Sequence, residues 1–326
     1  MTAEQFLNQP NLDAAVFFVY GEERYLIDSV KDAVIRGMGV DLMNMDVREE
    51  KVTVDEVISI TQQMPCFAEH RLLILNDPDL LKSADGEKLA EYLPNMRETA
   101  KLMILLHSAP DKRRAIYKYL SKNAFVIEAE KLKAADLSGW IVKTAKRFGI
   151  QMDMKTAQFL TEFSGEDMLT LKGELEKLAM LGKQKITAAD IEAIASATPD
   201  YNVFKIHNCM IEKKYREAFL LTKKEFQAQK SYIPLIALLA NKFNQMYMTK
   251  NCLLSGMSRQ QAADTVAKSA RISPFAAKHA AQECEGFTME QLKEALRMLE
   301  DYEFALKFGG ANEGIESILC KIYAIS

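Results

Sequence analysis

A chain of 326 residues with 48% hydrophobic and 27% charged side chains suits two or three packed domains, and its few glycines (14) and prolines (8) imply a largely helical protein. A net charge of −3 supplies no overall basic field, so any contact with DNA has to be local or shared with a partner. The five cysteines are scattered, the start has no basic-then-apolar leader pattern, and no apolar run approaches the ~18 residues of a membrane span, so a reduced, soluble, cytoplasmic protein is expected.

The first apolar run, Val16 to Tyr20, ends on Gly21 and leads into a helix-like segment, the strand–glycine–helix frame of a phosphate-binding loop. The chemistry of that loop is missing. Gly21-Glu22-Glu23-Arg24-Tyr25 brings no second glycine and no Gly-Lys-Ser/Thr, so neither an amide nest nor a phosphate-binding lysine can form, and Glu22 and Glu23 would repel a triphosphate. Gly21 also fits a simple tight turn. Neither a nucleotide cofactor nor an ATPase site is expected. At 43–47, 72–75, 102–106 and 125–127 further apolar runs alternate with helix-period stretches, which implies a parallel sheet covered on both faces. The first domain is therefore α/β. Asp77 follows an apolar strand where a Walker-type acid would sit, but with Asn76 beside it and no lysine it reads as a strand-end turn residue.

Between a helix carrying Val57, Ile58 and Ile60, expected to run as far as Pro65, and the strand near Leu72 lies Met64-Pro65-Cys66-Phe67. Junctions of this kind are normally polar. Three apolar side chains there are either folded back onto the core or presented to a partner.

From Gly149 onward the pattern is helical only: Ala157, Leu160 and Phe163; then Leu171, Leu175, Leu178 and Leu181; then a start at Thr187 with Asp190 three residues on and Ile191 and Ile194 facing the core. Ser196-Ala197-Thr198-Pro199-Asp200 reads as a linker. Longer helices follow, carrying Leu235, Ile236, Leu239 and Phe243, then Leu292, Ala295, Leu299 and Tyr302, and a last one with Ile315, Leu319 and Ile322. The expected domains are 1–148, 149–198 and 199–326. His70, His107, His207 and His279 lie in separate segments without a catalytic or metal motif, and Lys213, Lys214, Arg216, Lys223 and Lys224, interleaved with Glu212, Glu217 and Glu225, are explained by a solvated helix face at least as well as by a phosphate track.

In order along the chain, Val19-Tyr20-Gly21-Glu22-Glu23-Arg24-Tyr25-Leu26-Ile27, Met64-Pro65-Cys66-Phe67 before Arg71-Leu72-Leu73-Ile74-Leu75, Pro110-Asp111-Lys112-Arg113-Arg114, Leu137-Ser138-Gly139-Trp140-Ile141 and Leu171-Lys172-Gly173-Glu174-Leu175-Glu176-Lys177-Leu178 resemble the delta subunit of the bacterial DNA polymerase III clamp loader. The resemblance implies an AAA+-like parallel-sheet domain with a degenerate P-loop, a small helical lid and a helical collar for oligomerisation. It implies a subunit that grips the sliding clamp (beta) and favours its opening without being an ATPase, beside ATPase subunits (tau/gamma), delta prime and primed DNA. Carried over residue by residue, the clamp-binding set is Met64, Pro65, Cys66 and Phe67. Phe67 matches the aromatic anchor, and Cys66 departs from a larger aliphatic. The nearest string to the loader's Ser-Arg-Cys motif is Ser258-Arg259-Gln260. A divergent P-loop-like NTPase and a helical adaptor are the alternatives.

Overall fold

The apolar runs of the first half form five strands, β1 (Val16–Tyr20), β2 (Met45–Arg48), β3 (Arg71–Asn76), β4 (Ala100–Leu106) and β5 (Phe125–Glu128). The structure, a computed structural model, describes residues 1–272, 274–310 and 313–324, with the side chains of 228–229 and 274–275 excepted. All neighbours are parallel and the order is β2-β3-β4-β1-β5, with Phe18 opposite Ile104 on one side and Val126 on the other. Every residue of β1 and β4 is buried, as expected of central strands sandwiched between helices. Helix α1 (Ala3–Asn8) precedes β1, and the helices connecting the strands are α2 (Arg24–Met38), α3 (Val54–Thr61), α4 (Asp85–Tyr92) and α5 (Ala115–Asn123). One face of the sheet packs Phe18, Leu73, Leu75 and Ile104 against Val57, Leu89, Ile116 and Leu120 of α3, α4 and α5.

Two boundaries differ from the sequence reading. The second strand begins at Met45 rather than 43, because the Asp41 carboxylate accepts from the backbone N–H groups of Met43 and Asn44 and holds 41–44 as a turn. Helix α3 stops at Thr61, four residues short of Pro65, where the Thr61 hydroxyl turns back to the Val57 carbonyl and meets the Tyr92 hydroxyl at 2.7 Å.

The chain divides into two compact units, 1–137 and 138–326, and the division falls within α6 (Ala134–Arg147). The second unit holds α7 (Met154–Ser164), α8 (Met168–Ala179), α9 (Ala188–Ile194), α10 (Pro199–Ile211), α11 (Tyr215–Gln229), α12 (Ile233–Leu254), α13 (Arg259–Ala270), α14 (Pro274–Glu283), α15 (Met289–Phe308) and α16 (Ile315–Ala324). Thr187 and Asp190 form the expected capping box of α9, but only Ile191 of its two isoleucines is buried; Ile194 is exposed. The 196–200 stretch is a packed joint rather than a free linker. Thr198 caps α10, its amide donates to the Phe163 carbonyl at 2.8 Å, and the rings of Phe163 and Tyr201 lie 4.7 Å apart.

In the core of this unit, His207 is fully buried against Phe243 and Phe287 and shares a 2.5 Å hydrogen bond with the Tyr323 hydroxyl. Lys242 and Glu283 form a buried ion pair at 2.6 Å; burial lowers the lysine's pKa and raises the carboxyl's. The lysines and arginine at 213, 214, 216, 223 and 224 are exposed, as expected, but Glu225 is buried and accepts from Asn202 Nδ2 at 2.6 Å.

Candidate functional site

Three residues, Gly21, Glu22 and Glu23, connect the end of β1 to α2. Gly21 is held there by the close approach of a second chain segment. A Cβ at this position would lie 1.9 Å from the Ala129 carbonyl oxygen, and the backbone is zipped on both sides by Gly21 N–H to Leu106 O (3.0 Å) and Ala129 N–H to Tyr20 O (2.8 Å). Glu23 is the N-cap of α2, its carboxylate accepting from the Tyr25 amide at 3.2 Å. The helix N-terminus, where a phosphate would bind, is thus filled by the chain's own carboxylate. Glu22 stands in solvent.

Asp77, with a positive φ of 47°, accepts from the His107 amide at 2.8 Å and sits 2.6 Å from the His107 ring. Burial of the Asp77 carboxyl works against its ionisation, but the His107 hydrogen bonds outweigh it and the pKa is lowered. It is the expected turn residue, tied to the end of β4. The Tyr20 hydroxyl donates to Glu128 at 2.6 Å, and burial followed by that bond raises its pKa. A cavity of about 190 Å³ beside α5, lined by Phe18, Leu106, Ile116 and Tyr117, is apolar, and the two cations at its rim, Lys82 and Arg114, are paired with Asp79 and Asp111.

The 62–70 segment is built differently. Gln62 at its start donates to the Tyr92 hydroxyl (3.0 Å), and Arg71 at its end pairs with Asp46 (2.6 Å) and reaches the Met43 carbonyl. Between these anchors Phe67 is 105% exposed, more than in an extended reference chain, on a left-handed backbone position (φ 53°), and Met64 is 64% exposed beside Arg97, whose guanidinium donates to its sulfur. Pro65 and Cys66 are half-buried. Phe67 and Met64 are therefore not folded back onto the core but stand in solvent.

Sequence reasoning missed the adjoining turn. Leu42 and Met43 are 83% and 65% exposed, and their loop is joined to the 62–70 segment through Asn44. The available signal is Asp41 followed by two apolar residues and Asn44, a turn chemistry that competes with extension of the 43–47 run as a strand. Ser258 is the N-cap of α13 and Arg259 is paired with Glu285. Among the described residues, no group of three or more His, Cys, Asp or Glu side chains could hold a metal ion.

A family model described as DNA polymerase III, delta subunit, matches residues 17–130, and one for the C-terminal domain of the same subunit matches 200–322. The chain belongs to the DNA polymerase III delta subunit family. A Bacillus subtilis (strain 168) delta subunit is 24% identical over 313 residues, covering 90% of this chain and 88% of that one. A probable delta subunit from Aquifex aeolicus (strain VF5) is 23% identical over 218 residues, covering 62% of this chain and 61% of its own length. The solved structure of the Bacillus subtilis DNA clamp loader delta protein superposes with a TM-score of 0.65 over 98% of this chain and 97% of that one, at 21% identity. That likeness establishes the shared fold, a five-stranded parallel sheet followed by helices, for a member of the delta family.

Proposed function

We propose that this delta-family chain is the clamp-gripping member of a clamp loader. Its tip, Phe67 and Met64 with Pro65 and Cys66 behind them, enters an apolar groove of the ring-shaped sliding clamp and favours the ring's open interface. The observation that carries the reading is the Phe67 ring, wholly in solvent within a segment anchored at both ends. A rigidly presented aromatic side chain is the typical anchor of a protein interface. Leu42 and Met43 add to the apolar surface beside it, and half-buried Cys66 contributes little directly.

In this reading residues 1–148 are an AAA+-like domain whose nucleotide frame is retained as scaffold, 149–198 a lid and 199–326 a collar that joins the ATPase subunits (tau/gamma) and delta prime around primed DNA. The Glu23 cap and the three-residue turn support a subunit that takes no ATP itself, with the neighbouring subunits timing its access to the clamp. The test is a calorimetric titration of the whole chain with a sliding clamp from the same source, without nucleotide. Saturable binding supports the reading; no binding at tens of micromolar overturns it.

A further inference from the structure

The Phe67 ring projects from a backbone position that side chains with a Cβ disfavour, so something must hold it there. Asn44 does so. Its side chain is completely buried; Oδ1 accepts from the Cys66 N–H at 2.6 Å, and Nδ2 donates to the Cys66 carbonyl at 2.9 Å and to Asp41 Oδ1 at 2.9 Å. One amide therefore grips both backbone polar groups of the residue before Phe67, 22 positions away in sequence. Its own place is fixed independently, because the Asn44 carbonyl accepts from Leu72 N–H at 2.8 Å in the sheet and its amide closes the Asp41 turn. The latch thus couples the edge of the sheet to the peptide that sets the direction of the Phe67 side chain.

We infer that Asn44 is the positioning residue of the grip: by clamping Cys66 to the sheet edge it keeps the tip in its binding-ready conformation before the clamp arrives. This inference rests on the clamp-gripping reading. Without the latch the 62–70 segment samples other backbone states, and the apparent affinity falls by the fraction of molecules that remain ready.

The experiment is a double-mutant cycle on the full chain, read by titration with the sliding clamp and by hydrogen exchange at the Cys66 amide. Asn44→Ala is expected to weaken clamp binding roughly tenfold in the parent but less than about twofold in the Phe67→Ala background, because a latch that acts through Phe67 has nothing left to position. Near-isosteric Asn44→Asp, which keeps an acceptor for the Cys66 N–H but sets oxygen against the Cys66 carbonyl and Asp41, is expected to behave in the same direction and provides a second variant should the alanine form fail to fold. In the unaltered chain the Cys66 amide should exchange more slowly than those of Phe67 and Ala68. Parental affinity in both Asn44 variants, equal losses in the two backgrounds, or a Cys66 amide that exchanges as fast as its neighbours overturns the inference while leaving the grip intact. If Phe67→Ala itself binds clamp like the parent, the clamp reading fails and the latch falls with it.

Discussion

Replacing Phe67 by alanine separates an anchor from a core residue more cleanly than any other change. Phe67 is 105% exposed, whereas Phe17 and Phe18 of β1 are 0% and 1% exposed. Removing the exposed ring opens no cavity, so the fold should change by less than about 0.5 kcal/mol, the range of ordinary surface substitutions. Phe18→Ala, the control, should cost about 3–5 kcal/mol and lower the melting temperature sharply. On the clamp the arithmetic reverses. A phenyl ring buries roughly 150 Å² or more, which at about 25 cal/mol per Å² gives an upper figure near 4 kcal/mol. Truncation of an interface anchor usually costs about 2–4 kcal/mol, equivalent to a roughly 30- to 1000-fold weaker complex. Thermal melts and clamp titrations on the same preparations decide the matter. An early-melting Phe67→Ala chain, or one that binds clamp with parental affinity, would refute the reasoning.

Other expectations follow from the same geometry. Gly21→Ala sets a Cβ 1.9 Å from the Ala129 oxygen and should cost more than about 3 kcal/mol in denaturant unfolding or abolish folding; a near-neutral variant would show that the two strands can part at little cost. The isolated chain should bind no ATP at micromolar concentrations in calorimetry, and Glu23→Ala should lose about 0.5–1 kcal/mol of stability with the cap yet gain no ATP affinity. Acidification should weaken the helical unit: burial and then Lys242 lower the pKa of His207 well below the usual 6.5, and burial, Lys242 and Lys278 bring His279 down to about 4. Through these two histidines the unfolded chain holds more protons than the folded one between pH 6.5 and 4, so their contribution to stability is full above pH 6.5 and declines as pH falls through this window, while the raised Glu283 carboxyl acts with the opposite sign and offsets part of the slope. His279→Gln should flatten that slope, and melts at pH 7 and pH 5 that coincide in the parent would contradict it.

The sheet was legible because its central strands are buried on both faces and so appear as unbroken apolar runs such as 102–106, which only crossover helices can connect in parallel. The helices of the second half declared themselves through the spacing of residues such as Leu235, Leu239 and Phe243. Local contacts blurred the edges: the Asp41 side chain holds the turn before β2, and α3 ends at Thr61 beside the Tyr92 hydroxyl rather than at the proline. Glu225 and Ile194 were misread because neighbours distant in sequence decide burial, Asn202 in the first case. From the residues alone the 64–67 segment was a candidate not resolved between core and surface, since periodicity says nothing about a side chain on a left-handed turn, and only the family resemblance favoured partner binding. Asn44 was invisible because its partner Cys66 lies in another loop, 22 residues on.

The most direct test of the central claim is size-exclusion chromatography with light scattering of the whole chain and a sliding clamp from the same source, in nucleotide-free buffer, beside the Phe67→Ala form. The parent chain should co-elute with the clamp as a defined complex and the variant, equally folded, should elute apart from it. A parent that runs separately from the clamp, or a variant that co-elutes as fully as the parent, would contradict it.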